Sequence, residues 1–514
     1  MKQLSAKMSL GLIKATLAAS CLLLGAASPA QTSGPSGPGT ANPSEGYSPG
    51  TSFDNTFCTT GNYPEQWVWN PQATNEQAQP ATGGAPRMVQ IRNGVVIATY
   101  DSLGGDGGYS KPDSQNGGDT AVGPFRRTPY TQWQDGDVFE IYPAVYRGPK
   151  MQMYIGPNVR NHADYLAGIR DVPANITIRG VTVDGRRPVI VNPPSGAANA
   201  NYGQALIYVD GRHDGNGNLL TPARNITIEN IDIVDASDGG FLGKAAVYAN
   251  GVNNLTLRNV RIAGFKQHKV NGLFTTSNMS GTLLLENVEL ADNGGNNGPE
   301  HNAYVNGSRH DPNFTFVFRS SWSHGAYYGH ALKSRAQQTV VEGSYLAGST
   351  AAPGTRTETY LLDVPDGGVL IARNNVFAKG YSGNNSNGAA LTYGVEKIDN
   401  SRQWRLVVEH NSFVAFAKTY DDAGHVLYPM FIKSGTPGVK TVVSNLFVGY
   451  CPSGHPTRDF RGNNFVELNF NQIDQGFRPR QPALTGNPAI VGTPQYGHQS
   501  RSLLRSSPAL GARD

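Results

Sequence analysis

The feature that most restricts the fold of this chain is a short repeat of alternating apolar residues. The segment Asn-Ile-Thr-Ile-Arg-Gly-Val-Thr-Val-Asp at 175–184 has the pattern of two strands around a polar turn. Similar segments follow at 225–234, 254–263, 281–290, 338–347, 368–378, 405–415 and 440–448. Because side chains alternate between the two sides of a strand, this pattern predicts strands with one buried face.

A second series of shorter strands is interleaved with the first. Its members are 205–210, 245–250, 272–276, 302–306, 331–335, 359–363, 389–393 and 430–433. Two interleaved series with a period of about 25 to 30 residues are typical of a β-solenoid in which each repeat forms one coil. The 62 glycines, 33 prolines and β-branched strands disfavour helical hairpins. The sequence therefore predicts an all-β chain folded as a single-stranded parallel β-helix.

The turn inside the repeat carries asparagine in several copies, at Asn230, Asn259, Asn287, Asn375 and Asn411. This arrangement resembles the asparagine ladder of right-handed parallel β-helices of the pectin-lyase-like type. The segment 137–146 is also similar to the coil that opens those domains. The resemblance covers about 136–449 and implies a right-handed parallel β-helix. It does not imply a reaction, because the same scaffold hosts lyases, hydrolases, epimerases and binding proteins.

The two ends of the chain have a different composition from the repeat. Residues 1–30 carry three lysines before an apolar run and small residues, the layout of a secretory signal cleaved after Ala30. We expect a flexible linker at 31–55, an N-terminal capping region at 56–135, the β-helix at 136–450 and a C-terminal segment packed on it at 451–514. A secreted or periplasmic location follows, where Cys58 and Cys451 either pair or stay free thiols.

The charge balance limits the kinds of partner that the chain can attract. The formal net charge is +4, and it falls to about +1 once Lys2, Lys7 and Lys14 leave with the signal. So small a charge predicts no nucleic-acid partner and no attraction to a membrane surface. No second apolar run is long enough to span a bilayer.

The shorter strands predict two columns of outward side chains. If Ile207, Val247, Leu273, Ala303 and Leu332 point inward, the first outward column is Tyr208, Tyr248, Phe274, Tyr304 and Lys333. The next is Asp210, Asn250, Thr276, Asn306 and Arg335. Exposed aromatic rings one coil apart, beside hydrogen-bonding groups, suit the faces and hydroxyls of a long sugar chain. The alternative is that the tyrosines stabilise the ladder by packing or lie under a covering loop.

Ionisable residues are densest where this column ends, with five histidines at 268, 301, 310, 324 and 330. His301 and His330 are equivalent in the repeat, so they should be neighbours on adjacent coils. A lyase acting on a uronic-acid polymer needs a cation, a base and an acid, roles that we assign to Lys333, Arg335, His330, His301 and Tyr304. The residues expected to bind substrate are Tyr208, Tyr248, Phe274, Asn306, Tyr328 and Asp363. The predicted partner is an acidic polysaccharide.

The segment Ala-Leu-Lys-Ser at 331–334 is similar to the Lys-Ser motif of alginate and chondroitin lyases on this fold. The resemblance implies that Lys333 is the base, with an arginine one coil later and calcium nearby. The chain departs from that pattern, since Asp363 stands where the arginine would be. Apart from calcium we expect no cofactor, and the helical zinc motif is absent. A metal held by His301 and His330 where they meet across coils is the alternative.

Two other classes of function stay open. A glycoside hydrolase needs two carboxylates facing one bond, which Asp235 with Asp238, or Asp363 with Glu396, would provide. A non-catalytic carbohydrate-binding surface protein needs only the outward column. We rank the lyase first.

Overall fold

A computed structural model describes residues 79–448 except 81–83, 105–123, 126–132, 149–150, 158–166, 168–170, 193–204, 236–242, 296–298, 349–357, 380–388, 416–427, 434 and 444. All of them belong to one compact unit, Pro43–Asp514. The predicted signal, linker and C-terminal segment lie outside the described residues, as do Cys58, Cys451 and most of the predicted capping region.

The described chain is nearly all β, and three long sheets contain most of its strands. The nine-stranded sheet contains Met153–Ile155, Ile207–Asp210, Ala245–Asn250, Asn271–Thr275, Ala303–Val305, Leu332–Ser334, Leu362–Val364, Ala389–Tyr393 and Tyr428–Ile432. The ten-stranded sheet contains Val145–Arg147, Val189–Val191, Asp232–Val234, Arg261–Ala263, Glu289–Ala291, Trp322–His324, Tyr345–Ala347, Val376–Lys379, Ser412–Ala415 and Leu446–Val448.

The twelve-stranded sheet contains Met88–Arg92, Val95–Tyr100, Val138–Ile141, Thr177–Gly180, Ala223–Glu229, Val252–Arg258, Ser280–Glu286, Thr315–Arg319, Gln338–Glu342, Val369–Arg373, Arg405–Glu409 and Val439–Val443. Its first two strands pair antiparallel to their neighbours, and the rest pair parallel. Two small pairs join Gln79–Pro80 to Arg186–Arg187 and Arg212–His213 to Leu219–Thr221. A 3-10 helix spans Phe265–His268.

The chain visits the three large sheets in a fixed order. After a strand of the twelve-stranded sheet comes one of the ten-stranded sheet and then one of the nine-stranded sheet, as in Ala223–Glu229, Asp232–Val234 and Ala245–Asn250. Each strand pairs in parallel with its counterpart in the next repeat. The predicted repeat of parallel strands is therefore confirmed, and we call each repeat a coil.

The core is formed by the inward side chains of all three sheets. In the nine-stranded sheet these include Ile207, Val247, Leu273, Ala303 and Leu332, all fully buried as predicted. Phe377 and Phe413 of the ten-stranded sheet stack at 4.7 Å between ring centroids. Burying a large apolar side chain stabilises a fold by about 1.5 to 3 kcal/mol, so repetition of these ladders holds the coils together.

The outer side of the twelve-stranded sheet carries a ladder of alternating charge. Successive coils place in register Glu140, Arg179, Glu229, Arg258, Glu286, Arg319, Glu342, Arg373 and Glu409. Neighbouring members form ion pairs, for example Arg258 to Glu286 at 3.0 Å and Arg373 to Glu409 at 2.6 Å. The ladder favours pairing of consecutive coils, because a coil paired with the next coil but one would place like charges together.

The asparagines of the turn form two ladders rather than the single one that the sequence suggested. Asn230 and Asn259 have positive φ, and Nδ2 of Asn259 donates to Oδ1 of Asn230 at 2.8 Å. Asn375 and Asn411 instead lie one position further along their turns, where they are buried. The left-handed position in those coils belongs to Asn374 and His410, with φ of 54° and 56°.

This second, buried ladder is continuous across three coils. Nδ2 of Asn375 donates to Oδ1 of Asn411 at 2.9 Å, and Nδ2 of Asn411 donates to Oδ1 of Asn445 at 3.0 Å. Each amide therefore satisfies the next within the protein, as buried polar groups require.

A membrane-spanning helix would need a long apolar run, and the described part of the chain contains no such helix.

Candidate functional site

The predicted outward column exists in the nine-stranded sheet. Strand register aligns Tyr154, Tyr208, Tyr248, Phe274, Tyr304, Lys333 and Asp363 on successive coils. The first four pack in or against a hydrophobic cluster separate from the main core, so they point away from the interior. Ring centroids of successive aromatic residues lie 5.1 to 5.4 Å apart.

The expectation that this whole column is exposed is wrong. Tyr208 and Tyr248 are each only 7% exposed, while Phe274 and Tyr304 are half-buried. Tyr208 meets Tyr248 edge to face at 87°, so these rings do not present a row of parallel faces to solvent. The first part of the column therefore acts in packing, the alternative that the sequence left open.

A closed hydrogen-bond network surrounds the first coils of the column. Asp210 accepts from the Tyr154 hydroxyl at 3.1 Å and from Nδ2 of Asn250 at 3.0 Å, and its other partner is Nε2 of His213 at 3.1 Å. The hydrogen bond and charge of Asp210 raise the pKa of His213 despite its partial burial. The second outward column thus begins as predicted with Asp210 beside Asn250, but its polar groups bind one another.

His301 and His330 are stacked neighbours on adjacent coils, as predicted. Their ring centroids are 4.5 Å apart and the rings are 9° from parallel. The backbone N–H of His330 donates to Nδ1 of His301 at 2.9 Å, which assigns the proton of neutral His301 to Nε2. Tyr360 stacks on the other face of His330 at 4.9 Å, so the imidazole orientation is fixed from both sides.

Both imidazoles are held neutral near pH 7. Burial lowers the pKa of His301 well below 6.5, and the charges of Lys333 and Arg335 lower it further. Burial also lowers the pKa of His330, and next to it His301 and Lys333 act in the same direction. A neutral imidazole can accept a proton only at a ring nitrogen that is not already occupied. Nδ1 of His301 accepts from the His330 N–H, so His330 is the imidazole suited to base chemistry.

Lys333 is buried between two carboxylates. Its residue is 8% exposed, and Nζ lies 3.2 Å from Oδ2 of Asp363 and 2.6 Å from Oε1 of Glu396. Burial by itself lowers the pKa of Lys333, but the attraction of Asp363 and Glu396 is larger in sum and raises it. The side chain is therefore an ammonium cation near neutral pH.

Arg335 lies two residues after Lys333, directly after the end of the strand Leu332–Ser334, and supplies a second cation. Its Nε donates to the hydroxyl of Tyr304 at 3.0 Å, and its terminal nitrogens contact Asp366 at 2.5 Å and Glu396. Burial lowers the pKa of Arg335, yet the hydrogen bonds to Glu396, Tyr304 and Asp366 outweigh it and raise that pKa. Arg402 fixes the local backbone by donating to the Arg335 carbonyl at 2.6 Å.

Asp363 and Glu396 differ in environment although both contact Lys333. Asp363 is 1% exposed and accepts from Oγ1 of Thr392 at 2.5 Å, and burial raises its pKa against the opposing charge of Lys333. The Glu396 side chain is 45% exposed. Partial burial raises the pKa of Glu396, but hydrogen bonds from Lys333 and Arg335 lower it overall.

These contacts define one group of side chains, which we call the Lys333 cluster. It comprises His301, Tyr304, His330, Lys333, Arg335, Asp363, Asp366 and Glu396. Five of them are the residues predicted as catalytic, and Asp363 was predicted to bind substrate. The structure therefore brings together the two cations, the phenol and the two imidazoles.

The other predicted substrate-binding residues lie elsewhere. Asn306 binds the neighbouring strand, with Nδ2 donating to the Thr275 carbonyl at 2.9 Å. Tyr328 lies in the turn before His330 with φ of 67°, and its carbonyl accepts from Oγ1 of Thr359.

The remaining histidines of the predicted dense group do not join the cluster. His268 pairs with Asp235 at 3.0 Å, His324 with Glu289 at 3.0 Å and His310 with Asn278 at 3.1 Å. His268 ends the 3-10 helix, His324 lies in the ten-stranded sheet and His310 lies in a loop, so their closeness in sequence did not predict closeness in space. Asp238, the partner proposed for Asp235 in a hydrolase, lies outside the described residues.

Sequence reasoning missed Asp366 as a member of the cluster and considered Glu396 only for the hydrolase. Both come from loops, whose lengths vary from coil to coil, so strand register gives no signal for them. Register does give one for Thr392, which pairs with Asp363 in the next strand.

The cluster does not fit a calcium ion. The described residues include no group of three or more His, Cys, Asp or Glu side chains arranged to hold a metal. The carboxylates of the cluster are also already paired with Lys333 and Arg335, whose positive charge opposes a second cation. Asp292, in the polar Asp-Asn-Gly-Gly turn after the strand Glu289–Ala291, is likewise already paired, with Lys266 at 2.8 Å. We therefore derive no chemical step through a metal.

Comparison with known proteins gave no relative: no protein-family model matches the chain, and no curated protein matches it.

Proposed function

We propose that this protein is exported and acts on an acidic polysaccharide by β-elimination at the Lys333 cluster. The observation that carries the proposal is the meeting of two cations, a phenol and two neutral imidazoles on adjacent coils. We further propose that the three sheets close into a right-handed β-helix of the pectin-lyase-like type. The fixed order in which the chain visits them supports this, since parallel crossovers are almost always right-handed.

Each group has a role in this reaction. Lys333 and Arg335 neutralise a uronate carboxylate, which makes the proton on the neighbouring C5 carbon easier to remove. His330 takes that proton, with its ring oriented by His301, and the C4–C5 double bond forms as the C4–O4 bond breaks. The departing O4 takes a proton from the Tyr304 hydroxyl, whose position is fixed by Nε of Arg335. Atoms and charge balance without a cofactor.

The outer members of the cluster are the ones that would meet the polymer. Tyr304 and Arg335 are half-buried and the Glu396 side chain is nearly half exposed, whereas His301 and His330 are 2% and 7% exposed. Phe274, which is also half-buried and packs against Tyr304 at 5.3 Å, extends this surface by one coil. We propose that a sugar ring binds across Phe274 and Tyr304.

Hydrolysis is a second candidate because of two carboxylates. Oδ2 of Asp363 and Oε1 of Glu396 contact the same ammonium, at 3.2 and 2.6 Å from Nζ of Lys333. These two oxygens therefore lie less than about 6 Å apart. Their pKa values are moved in opposite directions, that of Asp363 upward by burial and that of Glu396 downward by its cationic neighbours. A raised and a lowered carboxyl are what a general acid and its partner require.

Incubation of the purified protein with alginate, polygalacturonate and bacterial exopolysaccharides tests the proposal. β-Elimination leaves a double bond conjugated to the carboxylate, so we expect ultraviolet absorbance to rise with wild type. Arg335→Gln should lose at least about 100-fold in rate, the scale on which one transition-state donor contributes. Chain shortening without absorbance would favour the hydrolase, and binding without shortening would favour the non-catalytic protein.

A further inference from the structure

Glu396 connects the two cations of the cluster through one carboxylate. Oε1 lies 2.6 Å from Nζ of Lys333, and Oε2 contacts a terminal nitrogen of Arg335. Among the described residues it is the one acidic side chain that contacts both cations, because, of these two, Asp363 contacts Lys333 alone and Asp366 contacts Arg335 alone. The pair of cations is therefore arranged as a receptor for a single carboxylate.

The exposure of these side chains shows which of them can move aside. Lys333 and Arg335 are 10% and 19% exposed, and Asp363 is 1% exposed, whereas Glu396 is 45% exposed. Glu396 follows the strand Ala389–Tyr393 and is held through its backbone N–H, which donates to the Pro365 carbonyl at 3.0 Å. Its side chain can rotate into solvent without loss of that backbone bond.

The cations stay balanced when Glu396 leaves. Lys333 retains Asp363 and Arg335 retains Asp366, so neither is left without a counter-charge. A departing Glu396 would also be well solvated, because nearly half of its side chain already contacts solvent. Exchange of Glu396 for another carboxylate is thus the least costly change that the cluster offers.

We propose, building on the function proposed above, that Lys333 and Arg335 form the subsite for one uronate carboxylate and that Glu396 occupies this subsite in the free protein. A uronate displaces Glu396 by taking over both of its contacts. A neutral sugar has no charged group to exchange and leaves Glu396 in place. Glu396 therefore selects for carboxylate-bearing sugars, at the expense of affinity, since it must first be displaced.

Calorimetric titration with alginate and polygalacturonate oligomers tests the competition. Glu396→Gln keeps the size of the side chain and removes its charge, so it should bind the oligomers about fivefold more tightly than wild type, the worth of a partly exposed ion pair. Binding of carboxyl-reduced oligomers should not change. Equal or weaker binding of the acidic oligomers by Glu396→Gln would overturn the proposal.

Glu409→Gln is the matched control. Glu409 pairs with Arg373 at 2.6 Å in the charge ladder of the twelve-stranded sheet, and its loss changes the net charge of the protein by the same amount. We expect its affinity for the oligomers to equal that of wild type. An equal gain in both variants would assign the effect to net charge and overturn the proposal.

A second measurement separates this proposal from the function on which it rests. In Glu396→Ala, added glucuronate should raise the melting temperature, whereas glucose should not, because only the acid can fill the vacated subsite. If glucuronate stabilises Glu396→Ala but no polymer binds wild type, the carboxylate subsite is supported and the polysaccharide function is refuted. If wild type binds the polymer but glucuronate does not stabilise Glu396→Ala, the subsite is refuted and the proposed function stands.

Discussion

Lys333 and Asp363 pair in adjacent strands of the nine-stranded sheet, and Nζ of Lys333 lies 3.2 Å from Oδ2 of Asp363. Both are buried, so the attraction between the two charges offsets the free-energy cost of removing each from water. Lys333→Met should destabilise the fold by about 3 kcal/mol, since it leaves a buried carboxylate without its main cation. Urea unfolding measures this change.

The control for this prediction is the double variant Lys333→Met with Asp363→Asn. The amide introduced by Asp363→Asn keeps an acceptor for Oγ1 of Thr392 while removing the buried charge. Most of the lost stability should return, whereas activity should not. A double variant as unstable as Lys333→Met would show that packing, and not the unpaired carboxylate, causes the loss.

The buried asparagine ladder predicts a large effect for a single amide. Asn411 is 1% exposed, donates to Asn445 and to the Ala372 carbonyl, and accepts from Asn375. Asn411→Ala should cost about 3 kcal/mol in the free energy of unfolding, because several buried partners lose a hydrogen bond at once.

Asn225→Gly is the comparison for that variant. Asn225 belongs to a third, exposed ladder, in which it donates to Asn175 at 2.7 Å and accepts from Asn254 at 2.9 Å. Glycine keeps its φ of 53° without strain. We expect a loss below about 1 kcal/mol, since solvent replaces these bonds. Equal losses in the two variants would contradict the distinction between the buried ladder of Asn411 and the exposed ladder of Asn225.

The charge ladder of the twelve-stranded sheet should contribute weakly and in a salt-dependent way. Glu286→Gln removes a partner of Arg258, at 3.0 Å, where the two side chains are 27% and 45% exposed. The expected loss is below about 1 kcal/mol at low ionic strength and should shrink further in molar salt, which screens exposed charges. A loss that did not change with salt would contradict an electrostatic origin.

Stability should fall on acidification through His301. Its pKa is lowered well below 6.5 by burial and by Lys333 and Arg335, so below about pH 6.5 the unfolded chain binds a proton that the folded chain does not. His301→Gln should therefore lose less stability than wild type between about pH 7.5 and about pH 5.5, measured by urea unfolding at each pH.

His213 provides the opposite case for the same measurement. Its pKa is raised by Asp210, so it contributes stability at acid pH that is lost as the pH rises through that raised value. His213→Gln should lose more stability than wild type over the same interval. The same direction of change in both variants would refute these assignments.

The sequence predicts the strands, their order and much of their register. Alternation is strict in these strands, so Ile207 and Val247 could be placed inside, and Tyr304 and Lys333 in one column, by counting alone. The same counting brings His301 to His330. Periodicity therefore predicts whatever depends on position within a strand.

What the sequence did not predict depends on turns and loops. Asn375 and Asn411 are offset by one residue from Asn230, because Asn374 and His410 take the left-handed position in their turns. Asp366 and Glu396 reach the cluster from loops of unequal length, so the charge that neutralises Lys333 and Arg335 could not be counted from the repeat. The burial of Tyr208 could not be predicted for the same reason. Alternation predicts which side of the strand a side chain points to, but not whether other residues cover it.

The most direct test of the central claim is the mass of the products formed from an acidic polysaccharide in water labelled with heavy oxygen. β-Elimination adds no water, so every new non-reducing end should be unsaturated and free of label, and Arg335→Gln should form such ends far more slowly. Saturated products that carry the label at the new reducing end would contradict the account and assign the carboxylates of Asp363 and Glu396 to hydrolysis.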